Sequence, residues 1–313
     1  MISHVLRWLL PVATGLALAT PASAELYGAQ GATLANGMQI VAIPNHRAPV
    51  VSHMVWYRAG AVDDPLGKSG IAHFLEHLMF KGTTKYPDGV MDNVLARNGG
   101  DQNAFTSHDY TAYYQNIAAD RLGLVMEIEA DRMRNLVLAP KEVETEREVI
   151  IEERRMRVEN QPAAILDERL EAALWLTNRY AIPVIGWEKE MASLNREDAF
   201  AFYHRFYAPE NAILVVSGDI TLEKLKELAE KYYGVIPRAG EPVSRKRPTE
   251  LAPSANVAVT YADARVRQPQ WWRKWIAPSF NVGDRKDVYA LDVFEQIVGG
   301  GSSSSPCGGV NKL

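Results

Sequence analysis

His73, Glu76 and His77 stand within the run Gly70-Ile71-Ala72-His73-Phe74-Leu75-Glu76-His77-Leu78-Met79-Phe80. On a helix, residues four apart stack on one face, so the two imidazoles can reach one metal ion while Glu76 points into the same space. Two neutral imidazoles suit a tetrahedral Zn²⁺, and a carboxylate beside the open position can take a proton from water polarised there. The order His-x-x-Glu-His inverts the His-Glu-x-x-His of the commoner zinc peptidases. The competing explanation is a helix with two incidental surface histidines. Its neighbours argue against that, because Ile71, Ala72, Phe74, Leu75, Leu78, Met79 and Phe80 make the helix apolar nearly all round. Such a helix is buried, and buried imidazoles and carboxylates need partners, which a metal supplies.

A third ligand has to come from elsewhere. Pro140 opens a helix that runs to about residue 159. At about 100° per residue, Val143, Val149, Ile150 and Met156 define its apolar arc, and Glu146 and Glu153 fall inside it. Glu144, Glu148, Glu152 and Arg155 lie outside, as an ordinary solvated face. Glu142 shares the arc but sits in the first turn, where the helix dipole accounts for an acid. Carboxylates in a core-facing stripe are costly unless paired, which singles out Glu153 and Glu146 without choosing between them.

The remaining elements must position these groups. Residues 1–24 read as a secretory signal peptide: Arg7, an apolar run over 8–18, then Ala22-Ser23-Ala24 as cleavage site, with Glu25 the first mature residue. An uncleaved anchor is disfavoured because the run is short for a bilayer and Pro11 interrupts it. A periplasmic or secreted location follows for a bacterial source, with no membrane association after cleavage. The net charge of −4 gives no reason to expect a nucleic-acid partner. Cys307 is the only cysteine, so no intramolecular disulfide can form, and core burial and metal must stabilise the fold.

Residues 32–43 read as a hairpin turning at Asn36-Gly37, residues 50–59 as a strand, residues 63–70 as a loop into the metal helix, and Gly82 as that helix's stop. A helix over 90–97 precedes a hairpin within 98–114. The edge around Asn103 can add a substrate peptide as an extra strand, although an ordinary hairpin with Asn103 at its turn also fits. His108 reads as a surface turn residue and His204 as packing. Helices over 118–136, 163–177, 197–206 and 222–233 and a strand over 213–217 complete a sheet with helices laid on it. Residues 237–253 are a linker. Beyond it, strands are expected over 256–261 and 265–277, with Trp271, Trp272 and Trp275 on a domain core rather than stacking nucleobases. An amphipathic helix follows over 287–298, its apolar face of Val288, Leu291, Val293, Phe294 and Ile297 without later elements to cover it.

Taken together, His73-Phe74-Leu75-Glu76-His77, Phe80-Lys81-Gly82-Thr83, Asn103-Ala104 and Glu146-Arg147-Glu148-Val149-Ile150-Ile151-Glu152-Glu153 closely resemble the pitrilysin and insulinase family of zinc peptidases. Arg179-Tyr180 with Pro183 and Gly186, and the run from Phe206 to Asn211, also fit. The chain is most similar to the branch of the mitochondrial processing peptidase and its bacterial relatives, over residues 32–301. In that family the third ligand lies about seventy-six residues beyond the second histidine, with another glutamate seven residues earlier. The resemblance thus implies a zinc endopeptidase holding one Zn²⁺ per chain on His73, His77 and Glu153, with Glu146 behind the ligands. It makes Glu76 the general base and has Asn103 and Ala104 bind substrate main chain. It implies an α+β half-clam, an antiparallel sheet covered by helices. The domains expected are a signal peptide over 1–24, a catalytic domain over 25–240, and a linker with a truncated second domain of similar fold over 241–313. Substrate is enclosed between two such halves, so a partner chain or a second copy would supply the other half.

After Gly299-Gly300-Gly301-Ser302-Ser303-Ser304 the text departs from the family and reads as a low-complexity or frameshifted end, without the family's paired arginine and tyrosine. Two other classes compete. A non-catalytic or partner-dependent subunit of a peptidase-like assembly would keep the fold, but such subunits usually lose parts of the motif that are intact here. A zinc carbon–sulfur lyase shares the inverted motif but takes a cysteine as third ligand, and Cys307 lies in the aberrant tail.

Overall fold

The computed structural model describes residues 26–298 apart from 242, 246, 252, 253 and 281; the expected signal peptide and the aberrant tail lie outside them. The elements run β1 (Gln30–Thr33), β2 (Gln39–Pro44), β3 (Val50–Tyr57), α1 (Ile71–Leu78), α2 (Val90–Arg97), β4 (Asp101–Thr106) and β5 (Thr111–Ala118). Then come α3 (Leu122–Asn135), α4 (Pro140–Arg154), α5 (Pro162–Leu174), α6 (Glu188–Met191), α7 (Arg196–Phe206), β6 (Ala212–Gly218), α8 (Leu222–Tyr232) and α9 (Arg285–Val298).

Six strands form one sheet in the order β1-β2-β6-β3-β5-β4. Asn36 and Gly37 make the first turn, with Gly37 at φ 91° and Asn36 Nδ2 donating to the carbonyls of Tyr233 and Ile236 at 2.8 and 3.0 Å. The sheet is mixed rather than antiparallel: β6 inserts between β2 and β3, parallel to the first and antiparallel to the second. Alternation along a strand determines which residues face the core, and it carries no information about which distant strand fills a gap.

On β3, Val51, His53, Val55 and Tyr57 are buried, and on β5 so are Thr111, Tyr113, Gln115 and Ile117. This face packs beneath α1, α3 and α8. The buried His53 on this face is satisfied at both ring nitrogens: Nδ1 meets Gln115 Oε1 at 2.7 Å, and Nε2 meets the Tyr233 hydroxyl at 2.9 Å. On the opposite face Trp56, Phe105 and Tyr110 form edge-to-face contacts and remain partly exposed.

Two further sequence expectations are corrected. In α4, Val143, Glu146 and Ile150 are buried as the arc requires, but Val149 and Met156 are exposed, and Ile151 and Arg154 are buried instead. The covered face of α4 is thus rotated toward Ile151 and Arg154, and Met156 lies past the helix in a π-helical turn over Arg155–Glu159. Beyond the linker, residues 256–261 and 265–277 form no strand among the described residues. A strand needs a neighbour to take its ladder bonds, and among the described residues none of the six paired strands takes them. Trp271 and Trp275 are therefore exposed, 75% and 70%, with the Arg273 guanidinium over both rings rather than a domain core.

Candidate metal centre

Helix α1 is anchored at both ends by backbone geometry. Gly70 adopts φ 86° as its N-cap, and a Cβ there would come within 2.6 Å of the Ile185 carbonyl. The Asp64 carboxylate accepts the Gly70 and Ala72 amides at 2.7 and 3.1 Å; burial pushes this acid up to about 8 against the pull of those two bonds. At the other end Gly82 turns out at φ 88°, where a Cβ would lie 2.1 Å from the Tyr86 carbonyl. Helix α4 is tied to the same loop, since Arg154, buried, donates to the Gly186 carbonyl at 2.7 Å while pairing with Glu168 and Glu159. The two helices that carry the motif therefore share one anchor.

This arrangement brings His73, His77 and Glu153 together, with one ligand atom from each within 4.8 Å of the others. Glu153 Oε2 lies 3.5 Å from His73 Nε2 and 3.3 Å from His77 Nε2. Tetrahedral bonds of about 2.1 Å put ligand atoms about 3.4 Å apart, so these separations suit a zinc ion. Glu153 Oε2 is also buried without a hydrogen-bond partner among the described residues, as is His73 Nδ1. A metal would satisfy the carboxylate oxygen, so the donor set fits Zn²⁺. The other oxygen, Oε1, is held by Arg157 at 2.9 Å.

Glu146 is placed behind His77 rather than with the three. Its Oε1 meets His77 Nδ1 at 2.8 Å and its Oε2 meets Lys81 Nζ at 2.7 Å. That bond on Nδ1 turns His77 Nε2 toward Glu153. Contact with His77, reinforced by Lys81, holds Glu146 down at about 2. Burial lowers His77, but the carboxylates of Glu146 and Glu153 outweigh it and carry the imidazole up to about 9. Burial, helped by neighbouring His77, pulls His73 down to about 4, leaving it neutral and able to ligate. His77 lowers Glu153 in turn.

Glu76 lies on the same helix, 8% exposed, and its Oε2 accepts the Thr106 hydroxyl at 2.5 Å. Burial raises this carboxyl and the Thr106 bond opposes the rise. Strand β4, which carries Thr106, is an outer strand of the sheet. Asn103 and Ala104 lie on that edge and not at a turn; the turn is formed by residues 107–110. The Asn103 side-chain oxygen accepts the Ala104 amide at 2.8 Å. His108, expected at the surface, is half-buried against Tyr180 with its Nε2 3.2 Å from the Ile182 carbonyl.

Sequence reasoning missed Lys81, Arg154 and Thr106. Lys81 stands four residues after His77, on the same helical face, and could have been found by spacing. The other two act across elements and leave no local signal.

The profile described as Insulinase (Peptidase family M16) matches residues 39–187, and that described as Peptidase M16 inactive domain matches residues 193–307. Zinc protease PqqE of Helicobacter pylori is 33% identical over 278 residues, covering 88% of this chain and 62% of that protein. A crystal structure of a protease from Helicobacter pylori superposes with TM-score 0.68 at 34% identity, over 71% of this chain and 55% of that one. The first half of the periplasmic protease PqqL from Escherichia coli superposes with TM-score 0.64 at 26% identity, over 71% and 49%. The chain thus spans about three-fifths of the length of the curated relative it matches.

Proposed function

The chain belongs to the insulinase family of peptidases, M16, and from that premise we propose that it is a zinc-dependent endopeptidase that hydrolyses peptide bonds. His73, His77 and Glu153 hold one Zn²⁺, Glu146 orients His77, and Asn103 and Ala104 take substrate main chain along the free edge of β4. When bound there, Zn²⁺ would polarise the scissile carbonyl and make water acidic enough to attack it at neutral pH. Glu76 receives the proton of the attacking water and returns it to the leaving amine as the C–N bond breaks. Peptide addition at the edge has to displace the Asn103 side chain from the Ala104 amide.

The observation that carries this reading is the unpartnered, buried Glu153 Oε2 within 3.5 Å of two imidazole nitrogens, with Glu76 beside them on α1. The experiment is metal analysis and quenched-peptide hydrolysis on protein prepared with zinc and after chelation. Hydrolysis that depends on one bound zinc supports the proposal, whereas hydrolysis indifferent to chelation overturns it.

The same proposal extends to organisation and place. Residues 25–240 form the catalytic domain, and residues 241–313 the linker and the start of a second domain. A second half, in the same protein or on a partner chain, covers α9, whose Val293, Phe294 and Ile297 are exposed. Residues 1–24 direct export, giving a periplasmic or secreted protein; the periplasmic PqqL among the structural relatives supports this.

A further inference from the structure

The bond from Thr106 to Glu76 joins the strand edge to α1. We propose that Thr106 is a positioning residue: its hydroxyl fixes the Glu76 carboxylate and couples that group to the edge on which an extended peptide would pair. The proposal rests on the reading of Glu76 as the base.

Three observations carry it. First, the Thr106 proton is committed to Glu76 Oε2 at 2.5 Å, the length of a charge-assisted O–H···O bond. The Thr111 proton goes instead to the Ala59 carbonyl at 3.0 Å, so the 3.4 Å separation of the two threonine hydroxyls is a packing contact that limits the Thr106 rotamer. Second, a glutamate has three side-chain torsions, and among the described residues it is the Thr106 hydroxyl that meets Glu76 Oε2. Without the hydroxyl, no other hydrogen bond from the described residues holds that oxygen. Third, β4 cannot drift away from the helix. Its residues 104 and 106 pair with Tyr113 and Thr111 on the covered face, while Phe105 on the other face is wedged against Trp56, Tyr110 and Tyr114 at ring distances of 5.4, 6.1 and 6.3 Å. A strand clamped on both faces transmits its position to the carboxylate through one hydroxyl.

Thr106→Val keeps the branched shape and removes the donor, and Thr106→Ser keeps the donor. In the zinc-loaded full chain, Thr106→Val is expected to lower kcat about 10- to 100-fold, the range for partners that orient reacting groups, with KM and zinc content unchanged. Thr106→Ser is expected to restore kcat to within about threefold. Unchanged kcat in Thr106→Val, or a rise in KM alone, overturns the proposal. Crystal structures of the two variants decide the point independently of turnover: the Glu76 carboxylate should leave its place in Thr106→Val and keep it in Thr106→Ser. An unmoved carboxylate in Thr106→Val overturns the positioning role even if wild-type protein hydrolyses no peptide, and that second result would defeat only the peptidase reading.

Discussion

Helices α1 and α9 are both rich in apolar residues, yet one is almost wholly buried and the other almost wholly exposed. In α1 every residue except His77 is buried, beneath α7 and α4 and against β4 and β5. In α9, Val288 is buried, whereas Tyr289, Val293, Phe294 and Ile297 are 57–78% exposed. Hydrophobic content states what a helix seeks, and only the neighbours determine whether it finds it. The buried helix can carry groups that would be costly elsewhere, because its surroundings exclude water and supply fixed partners for His77 and Glu76. The exposed helix presents apolar side chains to solvent instead and is suited to being covered.

This contrast predicts that substitutions at α1 and α4 act strongly and those at α9 weakly. The largest effect is expected from Glu76→Gln, which should cut peptide hydrolysis by about 10²- to 10⁴-fold while zinc content stays unchanged, since the proposed proton acceptor goes and the proposed ligands stay. Normal turnover by this variant would remove the mechanism. Next, Leu75→Ala hollows the fully buried face of α1. It should cost about 2–5 kcal/mol in denaturant unfolding, read as a lower midpoint at constant slope.

A smaller separation is expected between the two acidic partners of His77. Glu153→Gln should weaken zinc binding beyond Glu146→Gln by about 10- to 100-fold in a competition titration, because a lost ligand charge outweighs a lost orienting bond. The reverse order would exchange their roles. The smallest effect belongs to α9: Phe294→Ser should change unfolding free energy by no more than about 0.5 kcal/mol. It should nevertheless reduce self-association in light scattering, because it removes exposed apolar surface. A loss of several kcal/mol there would mean that α9 packs as tightly as α1.

Much of this molecule is written locally. The helical spacing of His73, Glu76 and His77, the Asn36-Gly37 turn, the Gly82 stop and the bounds of α2 each depend on residues a few positions apart, and each appears where sequence reasoning put it. Helical period also narrowed the candidates for a third ligand to Glu146 and Glu153. What separates those two in space is the crossing of α4 over α1, which brings one carboxylate in front of the imidazoles and the other behind His77.

Tertiary structure alone decided the rest. It inserted β6 parallel to β2, left β4 as an outer strand, and set Thr106 against Glu76 from thirty residues away in sequence. It also left residues 256–277 without a strand partner among the described residues, so a pattern that reads as a core strand stays irregular with its tryptophans exposed. The physical reason is common to all of these. Backbone torsions and side-chain period are properties of short segments, whereas burial, edge position and hydrogen-bond partnership are relations between segments that no single segment encodes.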